Sequence, residues 1–133
     1  MIKMPKAIHQ EISISASPDR IYEALTDARQ FCELTGAPAE IDPVPGGQFS
    51  CFGGMIEGQT IEAIPGNRLV QAWRVGNWES GIYSIVKFEF EKINDMETKL
   101  LFDHTGFPEE DWDHLEKGWH DKYWEPLKKY LDA

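Results

Sequence analysis

HTGFPEEDWDHLEKGWHDKYWEPL, residues 104–127, decides the fold. From within it to just beyond, Trp112, Leu115, Trp119, Tyr123, Leu127 and Tyr130 recur every three or four positions, the period of a helix with one broad apolar stripe. Pro108 suits the position just ahead of that helix. Pro126 lies inside it and removes a backbone hydrogen bond at a cost of ~3 kcal/mol, which predicts a kink or break near Trp124. Such a stripe needs an apolar surface to lie on, and the preceding residues read as the strands that supply one.

GIYSIVKFEFEKI alternates, with Ile82, Val86, Phe88 and Phe90 facing one way and Tyr83, Lys87, Glu89 and Glu91 the other. Asn94-Asp95 then turns the chain tightly into ETKLLFDHT. Upstream, PGGQFSCFGG and MIEGQTIEAI read as a hairpin, IPGN suits a type II turn with Pro65 and Gly66 central, RLVQAWRV is a strand, and Gly76-Asn77 starts another turn. At the other end, AIHQEISI puts Ile8, Ile12 and Ile14 on one face, with Gln10 interrupting it. SPDRIYEALTD follows, with Ser17 as N-cap and Pro18 at the first helical position, and a second short helix is expected around Ala28 to Leu34, ended by Gly36 and Pro38. The expected architecture is α+β: a curved antiparallel sheet of about six strands wrapped around a long C-terminal helix, with two short helices after strand 1. Residues 1–133 are expected to form a single domain, since one core suffices for this length.

A net charge of −10 opposes nucleic-acid or anionic-membrane binding, which depends on clustered Lys and Arg. No apolar run approaches the ~18 residues needed to cross a bilayer. MIKMPKAIHQEIS has no apolar signal core, so a cytoplasmic location is expected. Cys32 and Cys51 lack CxxC spacing and are expected to be free thiols.

These stretches resemble a known superfamily, the helix-grip fold of START lipid-transfer domains, birch-pollen allergens and polyketide cyclases. EISISASPDRIYEALTD is similar to its first strand and helix. FGGMIEGQTIEAIPGNRLVQAWRVGNW, SIVKFEFEK, HTGFP and GWHDKYWEPLKKYL resemble, in that order, the C-terminal domain of the activator of the 90-kilodalton heat-shock chaperone ATPase. The resemblance covers nearly the whole chain. It implies a helix-grip domain of this size, in many relatives with a cavity between sheet and helix, and chaperone binding or hydrophobic-ligand binding as functions.

The segment that decides the fold also invites a metal site. Glu110 and His114 share a helical face, as do Glu116 and His120, but the second pair is rotated by about 240° from the first on a helix of 3.6 residues per turn, so the two cannot form one chelate. With no HExxH and no Cys/His quartet, no metal or other cofactor is expected. His104 shares strand parity with Leu100 and Phe102 and so points inward, either as an acid/base group at a cavity mouth or as a satisfied core histidine. No GxSxG elbow or other nucleophile motif accompanies it, so a cyclase-type enzyme is not supported by the residues. Glu57 and Glu62 lie on strands whose glycines make their direction ambiguous.

The aromatic set carries the main expectation. Trp73, Phe88, Phe102, Trp119 and Tyr123, with Ser84 and His104 as sparse polar groups beside Gln10 and Gln71, are expected to line the space between sheet and helix. There they either fill a core or hold a hydrophobic small molecule. The domain is therefore expected to be a non-enzymatic binder of an apolar small molecule. The alternative is a chaperone-binding, co-chaperone-like module. Trp78, in the GNWESG loop, is either an exposed anchor for such a protein partner or packed on the sheet edge.

Overall fold

The structure, a computed structural model, describes residues 7–131. Of the amino-terminal stretch searched for an export signal, residues 1–6 lie outside them. The chain runs β1 (Ile8–Ile14), α1 (Pro18–Thr26), α2 (Ala28–Thr35), β2 (Ala39–Ile41), β3 (Gln48–Cys51), β4 (Ile56–Ile64), β5 (Arg68–Val75), β6 (Ser84–Asn94), β7 (Glu97–Thr105), α3 (Trp112–Trp119), a π-helical turn (His120–Trp124) and α4 (Glu125–Leu131). The strands form one antiparallel sheet in the order β1-β7-β6-β5-β4-β3-β2. This is the α+β helix-grip architecture. It has seven strands because three residues after Pro38 add β2 at the edge beside β3, too short a run to show a period in the sequence.

Local chemistry sets most element ends. Ser17 Oγ accepts from the Arg20 N–H at 3.3 Å to start α1, and Asp27 Oδ1 accepts from the Gln30 N–H at 3.0 Å to start α2. Gly66, at φ +69°, takes the position of the β4–β5 turn that favours glycine, and the Asn67 N–H closes that turn onto the Ile64 carbonyl at 2.9 Å.

Register carries the inward face across the sheet. Trp73 pairs with Ser84, Val86 with His104, Phe88 with Phe102 and Phe90 with Leu100, and all eight are buried. On β4 the register shifts between Thr60 and Glu62. Thr60 points inward and is buried, and the extra residue, Ile61, turns Glu62 outward to pair with Arg68. Glu57 also faces outward, 3.6 Å from Arg74 Nη1. Neither carboxylate reaches the interior, and it is a bulge at an isoleucine, not at a glycine, that settles the direction of Glu62.

Helix α3, the π turn and α4 make one continuous rod from Trp112 to Leu131 across the concave face. The irregularity predicted near Trp124 is the π turn. The Glu125 N–H bonds to the His120 carbonyl five residues back, and Pro126, which has no N–H to give, follows immediately. A widened turn absorbs the proline without breaking the rod.

Candidate functional site

The π turn determines which side chains enter the interior. On an α-helix, residue 124 would lie about 140° from residue 119, off the buried face. With hydrogen bonds spanning five residues, Trp124 instead stands over Trp119, ring centroids 5.7 Å apart and planes within 23°. Tyr123 packs on Trp119 from the side, at 4.2 Å. Three inward rings, Trp119 at the end of α3 and Tyr123 and Trp124 of the π turn, are thus brought together, and all three are buried.

The sheet meets them with rings of its own. Phe102 lies 4.3 Å from Trp119 and 5.2 Å from Phe88, and Trp73 lies 5.4 Å from Trp119. Trp73, Ser84, Phe88, Phe102, His104, Trp119 and Tyr123, all expected at the site, are buried. They form one ring-on-ring assembly in which tilted and edge-on contacts dominate, the arrangement favoured by the ring quadrupoles.

Within the assembly runs a chain of polar groups. Trp119 Nε1–H donates to His104 Nδ1 at 3.0 Å, which leaves the imidazole proton on Nε2. That Nε2–H donates to Ser84 Oγ at 2.7 Å, and the serine hydroxyl donates to the Trp73 carbonyl at 3.0 Å. Each donor has an acceptor. The serine and histidine stand at the distance of a nucleophile and its base, but they are wired in the opposite sense, because the nitrogen facing Ser84 already holds a proton. Burial pushes the His104 pKa down to about 3, so the ring stays neutral through the physiological range. Of the two readings of His104, the geometry makes it a satisfied core histidine tying β7 to α3.

A second polar tie was not legible in the sequence. Gln10, the interruption on β1, accepts from Trp124 Nε1–H at 2.6 Å and donates to the Glu116 carbonyl at 3.3 Å. That carbonyl is available because the His120 N–H bonds to Lys117, not to Glu116 as α-helical spacing would require. The only sequence signal was the coincidence of a buried-face glutamine with tryptophans five apart ahead of a proline. Gln71 pairs with Thr60 and Val86, both buried, and is itself half-buried.

The remaining candidates divide. Trp78 is buried against Trp73, at 5.9 Å, and donates to Asp111 Oδ2 at 2.7 Å, so it latches its loop to the helix start and is not an exposed anchor. Cys32 and Cys51 are free. Among the described residues no group of three or more His, Cys, Asp or Glu side chains is placed to hold a metal ion, and no helix is long and apolar enough to cross a membrane. Two clefts open on the outside. One, of about 300 Å³, lies over the convex face between Glu40, Ser50, Glu57 and Tyr83. The other, of about 820 Å³, lies between α2 and α4 beside Glu33, Asp121, Lys128 and Tyr130.

Comparison with known proteins places this geometry. Residues 15–132 match the family described as Activator of Hsp90 ATPase homolog 1-like protein. The Activator of 90 kDa heat shock protein ATPase homolog of Dictyostelium discoideum is 28% identical over 114 residues, 86% of this chain and 30% of that protein. Homolog 1 of Homo sapiens is 27% identical over 113 residues, 85% of this chain and 33% of that protein. The chain thus spans about a third of the length of these curated relatives. The crystal structure of an HSP90 activator from Plasmodium falciparum superposes with a TM-score of 0.90 at 26% identity, covering 95% of this chain and 96% of that one. With nearly its whole length matched by the family and its fold reproduced in a solved relative, the chain belongs to the family of Activator of Hsp90 ATPase homolog 1-like proteins.

Proposed function

We propose that this domain is a non-enzymatic module that binds a chaperone of the 90-kDa heat-shock class through its surface and stimulates the chaperone's ATPase, with the cytoplasm as its expected compartment. The observation that carries the reading is the match to the Plasmodium falciparum HSP90 activator, a chain aligned over 96% of its own length with one such domain. The interior chemistry agrees with it. Ser84 has no base to activate it, and the polar groups there are spent on one another. The chain has an excess of acidic residues, 23 Asp and Glu against 13 Lys and Arg, which favours a partner with a basic face. Because the longer curated relatives share only about a third of their length with this chain, the proposal concerns what a single domain does.

The test is the ATPase rate of a purified 90-kDa heat-shock chaperone titrated with this protein, with calorimetry to establish saturation. A saturable rise of severalfold is expected. An unchanged rate at saturation, or no binding, overturns the reading.

A second reading, binding of a hydrophobic small molecule between sheet and helix, draws support from one feature. A π turn, a distortion often found at functional sites, stands over the aromatic assembly formed by Trp73, Phe88, Phe102, Trp119 and Tyr123, with Ser84 and His104 as its polar groups. Mass spectrometry of small molecules released from the purified protein tests it. A single recurrent apolar compound at near-stoichiometric amount is expected, and its absence from several independent preparations counts against the reading.

A further inference from the structure

Phe52 is the sole described residue other than glycine with a left-handed backbone, at φ +54°. Two more follow it, Gly53 at φ +67° and Gly54 at φ +94°. Three successive left-handed residues are unusual, and for a bulky ring the conformation costs of order 1–3 kcal/mol, so something must hold it. The holder is aromatic. The Phe52 ring stands edge-on to Phe31 of α2 at 5.9 Å and to Tyr123 of the π turn at 5.7 Å. Phe31 and Tyr123 are buried and lie 5.7 Å from each other, whereas Phe52 is only half-buried.

Three backbone hydrogen bonds tie the turn: the Gly53 N–H reaches the Pro38 carbonyl at 3.1 Å, the Met55 N–H reaches the Phe52 carbonyl at 3.3 Å, and the Met55 carbonyl, at the far end, accepts from the Gly76 N–H at 2.7 Å. The Met55 side chain is nevertheless exposed. The β3–β4 pairing, Gln48–Cys51 with Ile56–Gln59, holds both ends of the turn, and the two glycines are the residues between those ends with the widest choice of backbone conformation. Behind the ring lie Tyr123, whose hydroxyl pKa is held high by burial and then by the neighbouring Cys51, and beyond it Trp119 and Trp73.

We propose that the Phe52–Gly54 turn is a gate: its strained backbone lets Phe52 swing out from between Phe31 and Tyr123, opening the aromatic interior to a planar apolar molecule of one or two rings while the sheet stays folded. The identity of the occupant rests on the small-molecule reading above; the motion does not. Relief of backbone strain offsets part of the lost ring contact, which keeps the open state within thermal reach. The opening sits between α2, the β3–β4 connection and the π turn, at one end of the grip.

Cys51, buried directly before Phe52, reports the motion. In a Cys32→Ser background, modification of Cys51 by methyl methanethiosulfonate is followed against urea concentration well below the unfolding transition. A local gate gives a rate nearly independent of urea, and Phe52→Ala raises that rate at least tenfold beyond what its change in global stability accounts for. A rate that climbs with urea at the full slope of global unfolding, in both proteins, means that Cys51 is reached only by unfolding and overturns the gate. Titration with 2-naphthol is the second arm. Binding that quenches tryptophan fluorescence and slows Cys51 modification supports the occupant. Urea-independent modification without naphthol binding leaves the gate standing and removes the ligand.

Discussion

His9 and His104 lie on neighbouring strands within one register step of each other, His104 opposite Ile8 and His9 opposite Asp103, yet they face opposite sides of the sheet and titrate in opposite directions. His104 is enclosed by rings, and burial drives its pKa down to about 3. His9 stands on the convex face, its Nε2 at 2.9 Å from Glu11 and its Nδ1 at 2.7 Å from Asp103, and these hydrogen bonds raise its pKa. Lys99 and Lys87 extend the outer network, at 2.9 Å from Glu11 and 3.9 Å from Asp103. One residue type on one sheet thus does two jobs. Inside, a neutral imidazole is a fixed link in a hydrogen-bond chain; outside, an imidazole whose protonated form the two carboxylates favour is a solvated cross-strand tie worth little.

The sharpest way to break the inner half is Trp119→Ala. It deletes the ring that touches Trp73, Phe102, Tyr123 and Trp124 and leaves His104 Nδ1 without its donor, so a loss of about 3–5 kcal/mol or outright failure to fold is expected in urea denaturation. Trp119→Phe keeps much of the packing but not the N–H, and should lose clearly less. An equal loss for both would mean that the hydrogen bond matters more than the ring.

The two histidines are next set against each other by pH. For His104 the folded pKa lies below the ordinary 6.5, so the unfolded chain takes up a proton first as the solution is acidified. Its contribution is fully present above pH 6.5 and falls away between 6.5 and about 3, by up to ~1.4 kcal/mol per pH unit. Denaturation series from pH 7 to pH 4 should show this slope in the wild type and a shallower one in His104→Gln. Identical slopes would place the acid sensitivity elsewhere.

Smaller again is the tie from β1 to the rod. Trp124→Phe leaves Gln10 Oε1 without its donor and should cost roughly 1–2 kcal/mol by the same measurement. Gln10→Leu strands the buried Trp124 Nε1–H as well as the Glu116 carbonyl, so it should cost at least as much as Trp124→Phe, whereas the double variant, which removes both partners of the Gln10–Trp124 bond, should cost less than the two single losses added.

The smallest effect belongs to the outer half. His9 has a raised folded pKa, so what it adds is present below pH 6.5 and is lost as pH climbs through the folded value. Its side chain is 54% exposed, and solvent screening leaves only a minor stability change. Proton NMR is the better instrument: the His9 ring should titrate above 6.5 and drift back toward it with added salt or in Asp103→Asn. A His9 titration unaffected by either change would dissolve the contrast with His104.

Much of this was written locally. Alternation in SIVKFEFEK and ETKLLFDHT assigned the inward sides of Phe88, Phe102 and His104, and the stripe from Trp112 to Tyr130 identified the rod that covers them. Three features escaped. Strand β2 is too short to show a period. Trp124 sits off an α-helical stripe and is buried only because the helix widens. Trp78 looked the same in sequence whether exposed or latched to Asp111, since its acceptor lies 33 residues away.

By itself, then, the sequence determined where strands, helices and turns fall and which side of each is apolar, because periodicity, caps and turn residues act between near neighbours in the chain. Tertiary structure alone decided which nitrogen of His104 holds the proton, that Gln10 joins a tryptophan 114 residues away, and that Phe52 is held in a left-handed conformation by rings from α2 and the π turn. Each of those depends on the partner that packing brings alongside, and a hydrogen bond or a ring contact exists only once both groups are in place.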